Sequence, residues 1–329
     1  MTKWTITGAA GFIGSNVAGT LIERGETVVG LDNLSSGRQS NIKRLKKLGG
    51  DFRFIEGDIR DASVVNDAIS GADCIVHLAA QVSVQKSIEN PVDTDAVNVG
   101  GFVSIVDAAI KADIPKVIYA SSCAVYGENP KLPIDEHEHP TPLSPYAVSK
   151  YANDLYASVL SGPNERIGLV GLRFFNIFGP WQDATGGYAA VIPRWTSTLL
   201  DGGQATIFGD GGATRDFCHV DNVSLAIIQV GARTDPLRHS VYNIGTGVRT
   251  PLKELHQTLV NTIESTGRDV VYKTAQHLPW RAGDIIHSVA SIERARSEIG
   301  FNPTVTLAHG IENLLLEEHG LPGSTGVNR

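Results

Sequence analysis

Residues 3–32 read KWTITGAAGFIGSNVAGTLIERGETVVGLD. Residues 3–7 predict a short strand, and Gly8, Gly11 and Gly14 follow at once in a G-x-x-G-x-x-G turn. An amphipathic helix is expected over 13–24, stopping at Gly25, and a second strand over 27–31 ends in Asp32. Strand, glycine turn, helix, strand and acid in that order are the context that gives such a loop meaning. Glycines let backbone N–H groups approach a pyrophosphate at the helix N-terminus, where the helix dipole favours negative charge. Asp32 lies 18 residues after Gly14, where a carboxylate accepts from an adenosine ribose. A carboxylate there repels a 2′-phosphate, so the reading is NAD rather than NADP.

The alternation continues outward. Strands are expected over 52–56, 74–78 and 116–120, and helices over 62–69 and 95–112. Strands alternating with helices predict an α/β fold built on a doubly wound parallel sheet of the Rossmann type. Ligands of such sheets sit beyond the carboxyl ends of the strands. Three tagged strand ends then converge on one crevice: Gly8 to Gly14, His77 to Ala80, and Ser121-Ser122. After Leu172, glycine pairs mark loop-rich structure with a short helix at 192–200, a strand at 241–244 and a helix at 252–264. The expected division is a cofactor domain over 1–175 that takes back 237–265. A smaller, mostly C-terminal α/β substrate domain covers 176–236 and 266–329, its end from Leu321 expected to fray.

Behind the last tagged strand comes Ser144-Pro145-Tyr146-Ala147-Val148-Ser149-Lys150, opening a helix expected over 146–160. Ser144 suits the N-cap and Pro145 the first helical position. Four-residue spacing puts Tyr146 and Lys150 on one helical face. A free phenol titrates near about 10, and an ammonium beside it draws that value down toward useful proton transfer. Taken alone, Y-x-x-x-K is as compatible with an ordinary exposed Tyr and Lys. The crevice is what gives it weight.

Composition narrows the remaining classes. Of 329 residues, 42% are hydrophobic and 19% charged, as in an ordinary folded protein. A net charge of −7 leaves no basic surplus for a nucleic-acid partner. Lys43-Arg44 with Lys46-Lys47 reads as a solvated helix face. No apolar run approaches a membrane span and no leader pattern precedes the first strand, so a cytoplasmic setting without a membrane partner is expected. Cys74, Cys123 and Cys218 are scattered and odd in number, which gives neither a disulfide framework nor a metal site.

By its motifs the chain resembles the extended short-chain dehydrogenase/reductase family, in its nucleotide-sugar 4-epimerase branch. They are Gly8-x-x-Gly11-x-x-Gly14, Asp32-Asn33-Leu34, Gly57-Asp58-Ile59, His77-Leu78-Ala79-Ala80, Asn98, Ser121 to Gly127, Tyr146-x-x-x-Lys150, Arg173 to Asn176 and Arg215-Asp216. The resemblance implies NAD contacts from Gly8, Gly11, Phe12, Ile13, Gly14, Asp32, Asn33, Asp58, Ile59, Leu78, Ala79, Ala80, Asn98, Tyr146 and Lys150. It implies catalysis by Ser122, Tyr146 and Lys150, with Ser122 also holding the sugar hydroxyl. For the nucleotide sugar it implies Asn176, Ala190, Val191, Phe208, Arg215, Arg281 and Asp284, the two arginines on the pyrophosphate.

The implied reaction oxidises C4 of a UDP-hexose, turns the 4-ketose over and reduces it from the other side. Relatives that eliminate water or carbon dioxide carry acids directly after the Ser/Thr. Here Cys123 and Ala124 stand there, which favours epimerisation. Ser288 is counted as the small gate that admits an N-acetyl group, and 188–195 also resembles the branch taking UDP-N-acetylhexosamines. UDP-glucuronate 4-epimerisation, a net oxidoreductase and a non-catalytic NAD-bound sugar-nucleotide sensor are the alternatives; sensors of this fold lose the Tyr or Lys that this chain keeps. The resemblance further implies a homodimer through the helices 95–112 and 146–160.

Overall fold

Strands that are covered on both faces need continuous apolar runs, and residues 74–77 and 168–174 supply them: every residue of CIVH and GLVGLRF is buried. The computed structural model describes residues 1–129, 131–161, 167–184, 190–233, 239–280 and 285–322. The first half runs β1 (Lys3–Thr7), α1 (Phe12–Glu23), β2 (Thr27–Asp32), α2 (Gln39–Lys47), β3 (Phe52–Glu56), α3 (Ala62–Ile69) and β4 (Cys74–His77). It continues with α4 (Val84–Glu89), α5 (Pro91–Asp95), α6 (Gly101–Lys111), β5 (Lys116–Ser122), α7 (Pro145–Leu160) and β6 (Gly168–Phe174). Next come β7 (Asn176–Phe178), α8 (Val191–Leu200), β8 (Thr206–Phe208), β9 (Thr214–Arg215), β10 (Phe217–His219), α9 (Val220–Ala232) and β11 (Ser240–Ile244). Last are β12 (Thr250–Pro251), α10 (Leu252–Ser265), β13 (Gln276–Leu278), β14 (His287–Ser288), α11 (Glu293–Ile299) and α12 (Leu307–His319).

Seven of these strands form one sheet in the order β11-β6-β5-β4-β1-β2-β3, and each neighbouring pair is parallel. The order reverses between β1 and β4, which opens the crevice at their carboxyl ends. The expected doubly wound parallel sheet is therefore the observed one. One face is closed by α1 and α9, whose Val17, Leu21, Val223 and Ile227 share a core with Trp4 and Ile6. On the other, Phe102, Ile105 and Val106 of α6 pack against Val117 and Tyr119. Burying each such side chain contributes about 1.5–3 kcal/mol.

Three expectations need correcting. The helix that returns to the main sheet is α9, not the segment 252–264. Leu255, Leu259 and Ile263 of α10 instead join Ile192, Trp195, Phe217, Ile311 and Leu314 in a second, smaller core. The sequence places α9 among loops because its neighbours are glycine-rich, yet its apolar face fits α1. Lys116 closes the join: its buried Nζ donates to the carbonyls of Val230, Gly231 and Arg233 at 3.0, 2.8 and 2.7 Å. A charge is tolerable there because the C-terminus of a helix favours cations.

The helix expected over 95–112 is interrupted. Between α5 and α6, Ala96–Gly100 forms a wide π-helical turn, a feature common at functional sites. It turns Asn98 inward. Its amide donates to the Gln81 carbonyl and the Ser149 hydroxyl, both at 2.9 Å, and accepts from the Gln81 N–H at 2.7 Å. The basic cluster on α2 is also not uniformly solvated: Arg44 is half-buried, its guanidinium lying on the Trp181 ring, and burial pushes it down to about 10.

Beyond β6 the chain leaves the main sheet within one residue. Phe175 N–H still bonds to Ile244 of β11 at 3.0 Å, while Asn176 N–H already bonds to the Asp216 carbonyl at 3.0 Å. β7 then pairs with β10, so one unbroken backbone runs from the crevice into the smaller part. No helix among the described residues is long and apolar enough to cross a membrane.

Candidate active site

The glycine turn is tightly packed. Gly8 sits at φ +74°, and a Cβ on Gly14 would stand 2.1 Å from the Gly8 carbonyl oxygen, so α1 presses directly on the turn. The N-cap Gly11 offers no side-chain acceptor to the first turn of α1, which leaves those N–H groups for an anion. Asp32 closes the other end. Its Oδ2 accepts from Ala10 N–H at 2.9 Å and its Oδ1 from Leu34 N–H at 2.8 Å. Burial nevertheless raises its carboxyl above the ordinary range, so further hydroxyl donors are favourable partners. Asn33 donates to Asp58 at 3.1 Å, and the Arg60 guanidinium holds that carboxyl well below its usual range. Ile59 is buried beside Gly101. These residues fit NAD: an anion cradle, then a hydroxyl acceptor, then a walled edge.

Leu78 N–H bonds to the Thr7 carbonyl at 3.1 Å and Ala79 N–H to the Thr7 hydroxyl at 3.2 Å, fixing the segment 78–80 over the end of β1. Beneath it His77 is buried, its Nδ1 2.8 Å from the same hydroxyl, and burial pushes it down to about 3. It is therefore a neutral wall. Asn98 belongs to this layer through Gln81 and Ser149 rather than by an exposed group.

On α7 the Ser144 hydroxyl accepts from Ala147 N–H at 3.2 Å, with Pro145 following it, which starts the helix as the residues predict. Tyr146 and Lys150 then point to the end of β5. The Lys150 Nζ is 5.9 Å from the Tyr146 ring centre and donates to the Ala120 carbonyl at 3.0 Å. The Tyr146 hydroxyl bonds to Ser122, whose own hydroxyl accepts from Ala124 N–H at 3.2 Å. The expectation that the lysine draws the phenol down is outweighed by burial. Burial pushes Tyr146 up to about 12 and Lys150 down to about 8. At neutral pH the chain thus presents a neutral phenol beside a cation, and the bond from Ser122 is the influence that lowers the phenol.

The second half supplies a cavity of about 250 Å³. Asn176, Ala190, Val191, Phe208 and Arg215, all chosen from the sequence, line it. So do Arg194, Trp195, Thr206, Trp280 and Ile285, which the sequence reading did not select. Two tryptophans in a glycine-rich half were the available signal. The Asn176 carboxamide oxygen and the Trp195 indole N–H are buried without a partner among the described residues, so each is able to bond to a ligand. Arg281 and Asp284 lie outside the described residues, as does Tyr188.

The cavity and the tyrosine meet through β9 and β14. Arg215 lines the cavity and is in register with Ser288. Ser288 is buried and hydrogen-bonded to the Cys123 thiol, next to Ser122. Asp216 does not pair with Arg215. Its buried carboxylate accepts from Thr246 N–H and Oγ1, both at 2.7 Å, from Gly247 N–H at 2.9 Å and from Ala290 N–H at 3.2 Å. It ties two segments, Thr246-Gly247 and Ala290, to the strand end behind the arginine.

Comparison with known proteins agrees with this geometry. Residues 4–245 match the model of the NAD dependent epimerase/dehydratase family. A UDP-glucose 4-epimerase of Mycolicibacterium smegmatis is 37% identical over 93% of this chain and 95% of its own length. Among solved structures, the UDP-glucose 4-epimerase of Thermotoga maritima with UDP-glucose superposes with a TM-score of 0.86 at 34% identity, over 97% of this chain and 99% of that one. The UDP-N-acetylglucosamine 4-epimerase of Methanobrevibacter ruminantium, in complex with UDP-N-acetylmuramic acid, gives 0.88 at 32%, over 97% and 98%.

Proposed function

The chain belongs to the NAD dependent epimerase/dehydratase family, in its nucleotide-sugar 4-epimerase branch, and from that premise we propose that it interconverts the C4 epimers of a UDP-hexose. We place UDP-N-acetylglucosamine and UDP-N-acetylgalactosamine among its substrates, beside UDP-glucose and UDP-galactose. NAD, when bound, supplies the hydride acceptor and donor. Tyr146 works as the phenolate, a form that the charge of Lys150 and that of NAD, when bound, would favour over the neutral phenol of the chain alone; it takes the proton of the C4 hydroxyl and later returns it, while Ser122 holds that hydroxyl. Asn176, Ala190, Val191, Phe208 and Arg215 hold the nucleotide, with Arg281 and Asp284 completing the set. With the nucleotide gripped, the 4-keto sugar is free to present its other face.

What carries the reading is the run of contacts from the cavity to the tyrosine: Arg215, Ser288, Cys123, Ser122, Tyr146. It sets a hydroxyl-handling centre at one end of a nucleotide-sized cavity. The test is a panel of UDP-glucose, UDP-N-acetylglucosamine and UDP-glucuronate with their C4 partners, followed by product chromatography. Wild type is expected to turn over both acetylated and plain sugars. Because Ser288 is small and faces Cys123, Ser288→Tyr is expected to cut turnover of the acetylated sugar by more than about tenfold, with UDP-glucose changed less than about threefold. Equal losses on both would remove Ser288 from the gate.

The reading includes a homodimer. On α7, Val148, Leu155 and Val159 are 52, 50 and 76% exposed, and with Ala152 they follow the spacing of one helical stripe. The adjoining α4 and α5 add Ile88 and Val92 at 56 and 79%. A second copy covers this face, which is more exposed than the half-buried Val103 and Ile110 of α6. Leu155→Glu with Val159→Glu is expected to convert a sedimenting dimer into a monomer. A wild-type protein that sediments as a monomer would remove the dimer.

A further inference from the structure

The buried face of α7 carries one more ionised group that the reaction as described does not use. Asp154 follows Lys150 by one helical turn, and only 3% of its surface is exposed. Four donors converge on it. Arg173 of β6 reaches Oδ2 through Nε at 3.0 Å and Nη2 at 2.9 Å, Ser121 reaches Oδ2 at 3.2 Å, and Tyr119 reaches Oδ1 at 3.1 Å. Arg173 also donates to the Tyr126 hydroxyl at 2.8 Å, which donates to Asn243 of β11 at 2.7 Å.

An ion pair this deep is a poor device for stability alone, since removing two charges from water costs about as much as their attraction returns. Its position suggests a different use. Lys150 bonds to the carbonyl of Ala120 and Asp154 to the hydroxyl of Ser121, so two successive turns of α7 hold successive residues of β5. The next residue is Ser122, which faces Tyr146. We propose that Asp154 is a positioning residue for the reaction, acting through Lys150. Its carboxylate, clamped by Arg173, Tyr119 and Ser121, keeps the lysine cationic and aimed at the end of β5.

The charged and titratable neighbours are consistent with this. Around Lys150 and Asp154 stand His77 of β4, Tyr119 of β5, Tyr146 with Cys123 beyond it, Arg173 of β6, and His239 before β11. Burial disfavours the charged form of both histidines, of the thiol and of both phenols. Arg173 is already held in the ion pair. The carboxylate is thus the group that opposes the loss of the Lys150 proton on burial.

This inference rests on the catalytic reading above, and its test separates the two. Asp154→Asn removes the charge and keeps the shape. Because it strands Arg173 in the interior, the double variant Asp154→Asn/Arg173→Gln is measured alongside. Two readouts are taken on the as-purified protein. The first is the pH profile of kcat/KM for UDP-glucose. The second is the titration of the Lys150 side chain by NMR of 13C-labelled lysine, assigned by its disappearance in Lys150→Met.

Removing the carboxylate is expected to bring the alkaline fall in kcat/KM, and the lysine titration with it, to lower pH by about one unit or more. Asp154→Glu is expected to restore most of the shift. A lysine titration that moves in a protein turning over no UDP-sugar leaves the positioning role intact and defeats the catalytic reading instead. An unmoved titration with the rate lowered equally at every pH would overturn the proposal and leave Asp154 a structural residue.

Discussion

Tyr146→Phe is expected to lower kcat for C4 interconversion by about 10²–10⁴-fold, the range that a positioned proton-transfer group contributes. The substitution removes one oxygen and keeps the ring, so the contact with Lys150 and the start of α7 at Ser144 are retained. KM is expected to change little, because the cavity proposed for the nucleotide is lined by other residues. NAD content is expected to be unchanged, since the glycine turn and Asp32 lie at the far end of the crevice. The assay is product formation from UDP-galactose and from UDP-N-acetylgalactosamine, with bound nucleotide measured on the same preparation. A variant that keeps its NAD and epimerises at the wild-type rate would end the reading of Tyr146 as the proton carrier.

The second large effect concerns the cofactor. Gly14→Ala places a methyl group where the Gly8 carbonyl oxygen stands, 2.1 Å from the new carbon, with the Gly8 carbonyl carbon at 2.8 Å. Neither atom is the end of a flexible chain, so the turn or α1 has to move. Overpacking of this kind costs about 1–3 kcal/mol, and a displacement of about 1 Å at a positioned group is enough for a 10²-fold functional loss. The variant is expected to purify with little bound NAD and to melt below wild type. Stoichiometric NAD with an unchanged melting temperature would show that the close approach is not needed. Excess NAD added back is expected to recover only part of the activity, because the displaced N–H groups remain displaced.

The sheet and the glycine turn were legible for a simple reason. Gly8, Gly11, Gly14 and Asp32 act through backbone spacing, and spacing is written directly in the chain. The same holds for Ser144, Pro145, Tyr146 and Lys150, where one helical turn fixes who meets whom. The π-helical turn at Ala96–Gly100 was not legible, because a turn widened by one residue has no periodic signature. It follows from bonds that Asn98 makes to Gln81 and Ser149, on two other segments. Asp154 was missed for the same cause: its donors come from β5 and β6, far away in sequence. The exchange of α9 for α10 shows the limit of local composition. Both helices have a buried apolar face, and only the partner that each face meets decides which core it joins. Around the cavity, Phe208 and Val191 were chosen by resemblance, whereas Arg194, Trp195 and Trp280 needed the fold to bring them together.

The passage from β6 into β7 has a mechanical outcome. Phe175 is fastened to Ile244 and the very next residue to Asp216, so the polypeptide has no pivot at this crossing. A backbone bonded on both sides of the crossing is expected to carry the cavity and the Tyr146 end of the crevice as one piece. On that footing the half-turn proposed for the 4-keto sugar is expected about its own linkage to phosphate.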